Sequence, residues 1–343
     1  MIDASHWTLR GCVLSLRSEI AEWDAAADDW QRASFFQFVA FDRDRRVVQL
    51  DQRGREDSVF RTTYNYDADG RLRETQAGTA DAPIMHRVVH TSDETGRPLA
   101  VTETGEDGVE HTTHTSSYDD KGRRTTVHVL PPALGDTAMT FGIEGSALGY
   151  GAPGATTITT RYDERDLSRE ALFQDASGAV IRRIVLVRDG DGRVVTEEAE
   201  NVAPLALPEG PEMSADDREQ LLALARLAFA TMRTTYEYDA EGRLVSRTQR
   251  MGLLAEDRTA YSYDERGNAI EEFTASVNRD MNLDAEGRPQ TGADTTRWHD
   301  IRLAYEYDGR GNWTARIVRN RFTKDAEFEP SNVEWRTIEY YDS

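Results

Sequence analysis

The sequence is poor in cysteine: Cys12 is the one thiol in 343 residues, which excludes an internal disulfide framework. No apolar run approaches the length of a membrane-crossing helix. The start, Met1-Ile2-Asp3-Ala4-Ser5-His6, lacks the basic segment and apolar stretch of a secretory signal, and Cys12–Leu16 is too short to supply one. The expectation from the residues is a cytoplasmic chain. Cations are also scarce: Lys plus Arg total 41 against 62 acids, a formal net charge of -21. Nucleic acid and anionic membrane are thereby disfavoured as partners, because both need clustered positive side chains. Hydrophobic residues make up only 38%, which suits a sheet with one solvated face better than a thick core.

What the chain does have is a repeat. Thr235-Tyr236-Glu237-Tyr238-Asp239-Ala240-Glu241-Gly242-Arg243-Leu244 returns as Thr63-Tyr64-Asn65-Tyr66-Asp67-Ala68-Asp69-Gly70-Arg71-Leu72. Shorter copies are Tyr261-Ser262-Tyr263-Asp264 through Asn268 and Tyr305-Glu306-Tyr307-Asp308 through Asn312. Tyrosines two apart share a strand face. The aspartate can accept a backbone N–H two residues on, and the glycine supplies the positive φ of a short hairpin loop with a bulge. Each copy is therefore a β-hairpin. Aspartate with glycine three residues later also begins at Asp51, Asp93, Asp119, Asp175, Asp189 and Asp284. Arg45 and Asp166 stand at the glycine position in two further copies, where altered turns are expected because a left-handed non-glycine residue costs about 1–2 kcal/mol. Spacings of about 20–26 residues suit a stacked array.

Residues 9–41 read as an opening hairpin, with Cys12, Leu14, Leu16 and Ile20 on one face, a turn at 24–29, and Phe36 and Phe38 on the return strand. A helix over 19–32 competes, but the period of two runs in from both sides. Two insertions interrupt the array: a Gly/Pro-rich loop over 131–156, and 202–233, a Pro-rich loop followed by the one expected helix. Ser214 is its N-cap, Asp217 stands at the capping-box position, and Leu221, Leu224, Ala225, Ala228 and Met232 form its apolar stripe.

The Tyr-Asp-x-x-Gly-Arg unit, in this many copies over roughly residues 36–343, resembles the YD/Rhs-repeat family, which includes the repeat shells of Rhs and Tc-type toxins and teneurins. The resemblance implies a strip of antiparallel hairpins spiralling into a hollow shell. This sequence is shorter than toxin shells and has no Asp-Pro-x-Gly-Leu motif, so a short form of the shell without a toxin domain is the expectation. Two dozen strands at about 4.8 Å give a strip roughly 115 Å wide, and an open sheet so wide must curl or split. The expected fold is all-β: a single domain over 1–343, an array of antiparallel hairpins in a large curled, partly open sheet (a partial YD-repeat shell) with one inserted α-helix.

Candidate chemistry is sparse. The Asp67–Gly70 and Asp189–Gly192 turns look calcium-like, but Arg71 and Arg193 occupy the fifth position, where an EF-hand needs an oxygen; plain turns are expected. His86 and His90 share a strand face with His111 and His114 nearby, yet a zinc site needs four convergent ligands; solvated histidines are expected. The Gly-rich 142–154 segment lacks the Lys-Ser/Thr of a phosphate cradle and the spacing of a nucleophile elbow. No cofactor or metal is expected. The tyrosines are first of all packing groups in a cross-strand ladder. The minority reading is an aromatic ligand surface made by Tyr236, Tyr238, Tyr261, Tyr263, Trp298, Tyr305, Tyr307 and Trp313. The leading function is a non-catalytic scaffold or binding protein whose curved sheet meets a protein or polysaccharide; the alternative is a shell-type component beside a toxin or secretion system, which by resemblance would be secreted or at the cell surface. A hydrolase would need paired carboxylates or a nucleophile–base pair, and no motif points to one. Ile338 to Asp342 reads as an unpaired hairpin half, so self-association through edge strands is also expected.

Overall fold

The computed structural model describes residues 9–53, 58–79, 84–130, 152, 154–202, 222, 231–283 and 289–342. The elements formed are β-strands, as the repeat implies. In chain order they are β1 Val13–Asp24, β2 Asp29–Trp30, β3 Ser34–Phe41, β4 Val47–Arg53, β5 Val59–Tyr66, β6 Leu72–Thr79, β7 His86–Ser92, β8 Pro98–Thr104, β9 Glu110–Tyr118, β10 Arg124–Val129 and β11 Thr157–Tyr162. There follow β12 Ser168–Gln174, β13 Val180–Arg188, β14 Val194–Asn201, β15 Thr231–Tyr238, β16 Leu244–Met251, β17 Ala255–Tyr263, β18 Ala269–Leu283, β19 Pro289–Tyr307, β20 Trp313–Arg321 and β21 Glu329–Tyr340. The chain divides into two compact units: Met1–Thr115 with Ile301–Arg321 and Glu327–Ser343, and Ser116–Asp300 with Phe322–Ala326.

In the first unit, antiparallel pairing runs β9-β8-β7-β6-β5-β4-β3-β1-β21-β20. The partly open sheet with a free edge is corrected here. β1 and β21 pair with each other from Val13↔Tyr340 to Glu22↔Asn332, and β21 has β20 on its other side. Ile338 to Tyr340 is thus paired with Leu16, Ser15 and Val13 of β1, because the alternating strand at the start of the chain supplies the missing partner. Tyr341 continues the seam, donating its hydroxyl to Phe41 O at 2.6 Å beneath the Arg43 guanidinium. The core of this unit is Leu9, Val13, Leu16, Val39, Phe41 and Val47.

The second unit runs β10 through β18 in sequence order, each strand antiparallel to the next. Its core is Val127, Val129, Ile158, Ala171, Phe173, Ile184, Leu186, Val194 and Ala199. Fully burying a side chain such as Phe173 contributes about 1.5–3 kcal/mol.

The strand assignment at 13–24 holds, but the alternation of its face does not. Register shifts pass over Leu14 in β1 and Phe36 in β3, leaving both exposed, while Cys12 is exposed ahead of the strand. Val13 and Leu16 therefore point inward together. Asp51 is also corrected: it lies inside β4, opposite Arg61, which holds it by two hydrogen bonds of 2.8 and 2.7 Å. The turn at Asp284, most of the 131–156 loop and nearly all of the 202–233 insertion lie outside the described residues. The inserted helix is not supported at its C-terminal end, where Thr231 and Met232 open β15 and pair with Glu200 and Ala199.

Candidate functional site

The repeat unit works between hairpins as well as within them. In the turn at Asp189, Oδ1 accepts the backbone N–H groups of Asp191 and Arg193, and Oδ2 accepts from Arg193 Nε at 2.8 Å. The carboxylate thereby shapes its own loop and aims the arginine. Arg193 then lies 5.0 Å over the ring of Tyr238 in the next hairpin, and Tyr238 donates its hydroxyl to Val194 O at 2.8 Å. The same staple links Arg46 to Tyr66 and Val47, Arg123 to Tyr162 and Arg124, and Arg243 to Tyr263 and Leu244. A cation–π contact contributes about 0.5–1 kcal/mol at an exposed site, and the hydroxyl bond about 1 kcal/mol. The recurring arginine after glycine was the available signal for this role.

Arg45 and Asp166 do not alter their turns, contrary to expectation. Both adopt positive φ, 67° and 61°, and both keep the turn's backbone bonds. Their side chains offset the strain: Arg45 donates to Leu9 O at 2.9 Å, and Asp166 receives Lys121 and Arg123 from the preceding turn.

The eight residues of the expected aromatic surface fall into separate groups. Tyr238 and Tyr263 are staples. Tyr236 and Tyr261 share one face of the second unit, since Tyr236 pairs with Arg247, Arg247 with Thr259, and Tyr261 follows two residues on. Tyr236 donates to Glu197 Oε2 at 3.1 Å. Burial first, and Glu197 second, push the Tyr236 phenol well above its ordinary value, while Arg247 opposes the shift. Burial likewise raises Tyr261, with Glu272 adding to it and Arg247 again opposing. One guanidinium thus acts on both rings. Beside them Glu197 is fully buried, and Thr234 and Thr259 are buried.

Trp298 belongs elsewhere. Its ring lies 5.3 Å from Phe273, with Lys324 Nζ 4.3 Å above it. Phe273 pairs with Ala260, on the face opposite Tyr261. Tyr305, Tyr307 and Trp313 are in the first unit, where Trp313 is only 6% exposed. Arg336 lies 3.3 Å over its ring and Arg316 5.3 Å, while Glu334 sits 2.7 Å from Arg316 and 3.4 Å from Arg336. Trp313 is thus a packed group between guanidiniums, not a surface residue. Glu197, Arg247 and Glu334 carried no sequence signal, because partnership across strands depends on register. Among the described residues no three His, Cys, Asp or Glu are arranged to hold a metal ion.

Hairpins stapled through Tyr-Asp-x-x-Gly-Arg are similar to the repeats of YD/Rhs-type shells. The family model described as the teneurin YD-shell matches residues 213–327. A search of curated proteins finds no match. Similar solved structures include the crystal structure of TcdB2-TccC3-Cdc42, at 12% identity and a TM-score of 0.36, covering 91% of this chain and 19% of that one. A structure of TcdB2-TccC3-TEV is 14% identical with a TM-score of 0.32, covering 85% and 14%. A porin-like protein from Bacteroides uniformis is 11% identical with a TM-score of 0.31, covering 95% and 98%. The chain thus spans less than a fifth of the first two.

Proposed function

We propose that the chain is a non-catalytic repeat scaffold that offers the Tyr236–Arg247–Tyr261 face to a carbohydrate or an extended protein segment. The observation that carries this reading is the pair of half-buried tyrosines sharing one guanidinium, with Glu197 bonded behind them. Aromatic rings give an apolar plane with a polar tip, and a guanidinium and a carboxylate beside them can bind hydroxyls or a peptide backbone. The stapled hairpins keep this face rigid, so little ordering cost is incurred on binding. Glycan and peptide arrays probed with the wild-type chain, then with Tyr261→Ala and Arg247→Met, test it. Affinity for the retained partner should fall at least about tenfold, or 1.4 kcal/mol, in both variants and stay unchanged in Trp298→Ala, on the opposite face. Equal binding by all three variants would remove the reading.

Membership of a larger toxin or secretion assembly is the second reading, favoured by the shell-type repeat over 213–327. Co-purification with a co-expressed shell or toxin chain tests it, and recovery of the chain alone counts against it.

A further inference from the structure

Arginines of the repeat turns meet carboxylates, as Arg193 meets Asp189 and Arg243 meets Asp239. Arg247 does not. Its Nε is buried and has no hydrogen-bond partner among the described residues, and none of the ion pairs there includes it. Register gives its surroundings. Arg247 stands between Tyr236 on β15 and Thr259 on β17, with Tyr261 on the diagonal. Three carboxylates share this face. Asp257 lies on the other diagonal, opposite Gln249. Glu272 lies beyond β17, opposite Tyr261. Glu197 lies beyond β15, opposite Thr234, where it accepts the Tyr236 hydroxyl and has the Arg182 guanidinium near enough to act on it. Glu197 and Glu272 are thus two strands from Arg247, roughly 10 Å at the ordinary strand spacing.

A guanidinium is a fork of N–H donors with no acceptor of its own. A buried N–H without a partner favours a ligand that brings the acceptor with it, and an ionised acceptor makes the stronger, bidentate bond. The groups beside Arg247 are donors as well: burial holds Tyr236 and Tyr261 protonated, so each presents a hydroxyl rather than a phenolate. Backbone groups are not on offer here. β15, β16 and β17 each pair with a neighbour on both sides, and a peptide that docks by strand addition needs a free edge. The face instead provides two phenol rings that can take the apolar face of another ring, with a cation between them.

We infer that this face binds a saccharide containing uronic-acid residues, with the sugar carboxylate on Arg247 and the sugar ring against Tyr261. The inference rests on the ligand face proposed above and narrows its ligand to one class. Repulsion between such a ligand and the net charge of -21 is confined to a screening length of about 8 Å at about 0.15 M salt, whereas the carboxylate and Arg247 meet in contact.

Calorimetric titration of the whole chain at neutral pH and about 0.15 M salt tests this, with pectate, alginate and hyaluronan fragments and the carboxyl-reduced form of each. At least one acidic fragment should bind, and its reduced form should bind at least about tenfold more weakly. In Arg247→Met that difference should vanish, while Tyr261→Ala weakens binding of both forms. Equal binding of a fragment and its reduced form overturns the uronate assignment and leaves the saccharide face standing. A preference for the acid that survives in folded Arg247→Met overturns it as well, as does retention of peptides or sulfated sugars without any uronate. Binding of no saccharide and no peptide removes the face itself. Should Arg247→Met fail to fold, the comparison of acid with reduced form in the wild-type chain decides alone.

Discussion

Gly96 and Gly267 occupy the same position of the same turn, with φ of +88° and +87°. An alanine at either pays the left-handed penalty of about 1–2 kcal/mol. A Cβ at Gly267 meets open space, whereas one at Gly96 overlaps the Arg71 guanidinium of the preceding turn. Gly96→Ala should therefore destabilise more than Gly267→Ala, by roughly a further 1 kcal/mol from the displaced side chain. Urea midpoints of the two variants check this; equal losses would mean that glycine serves only the turn. At the position where one copy lacks glycine, Asp166 bonds the preceding turn's Lys121 and Arg123 through its own carboxylate. The glycine of the motif was legible as a turn residue. Its second role was not, because that role depends on which arginine the neighbouring hairpin places beside it.

At the scale of the strand, local chemistry was legible and cross-strand chemistry was not. Asp239 to Gly242 announces a hairpin because every bond in the turn joins residues at most four apart. Asp51 shows the same spelling inside a strand, where Arg61 across the ladder claims its carboxylate. Trp313 looked like surface since a lone Trp after a turn carries no mark of its face. Its burial comes from β21, which brings Arg336 onto the ring. Burial pushes Arg336 down to about 10, and Glu334 only partly opposes this. With side chains 9% and 4% exposed, the pair is buried, and removing the carboxylate takes a charged partner from Arg316 and Arg336 at once. Glu334→Gln should therefore cost about 3–5 kcal/mol, measured by chemical denaturation. A loss under about 1 kcal/mol would show that Arg336 is satisfied without the carboxylate.

For the whole chain the question is how a net charge of -21 coexists with so many short ion pairs. The turn carboxylates are held ionised by local donors: Asp119 is lowered chiefly by the Arg123 side chain, Asp93 by the Arg97 backbone N–H, and Asp175 by the Ser177 hydroxyl. Lowered carboxylates contribute stability above the unfolded value near 3.9 and lose it as pH falls below that. Salt separates the staples from the net charge. Arg193 and Asp189 meet at 2.8 Å with side chains only 32% and 23% exposed, so added ions weaken them little. Repulsion among the excess acids acts over longer distances, and raising ionic strength from about 0.01 to about 0.15 M shortens the screening length from about 30 to about 8 Å. The melting temperature at pH 7.5 should therefore rise with that step, since self-repulsion opposes the compact state. A fall would mean that exposed ion pairs, not local turn chemistry, hold the hairpins to one another.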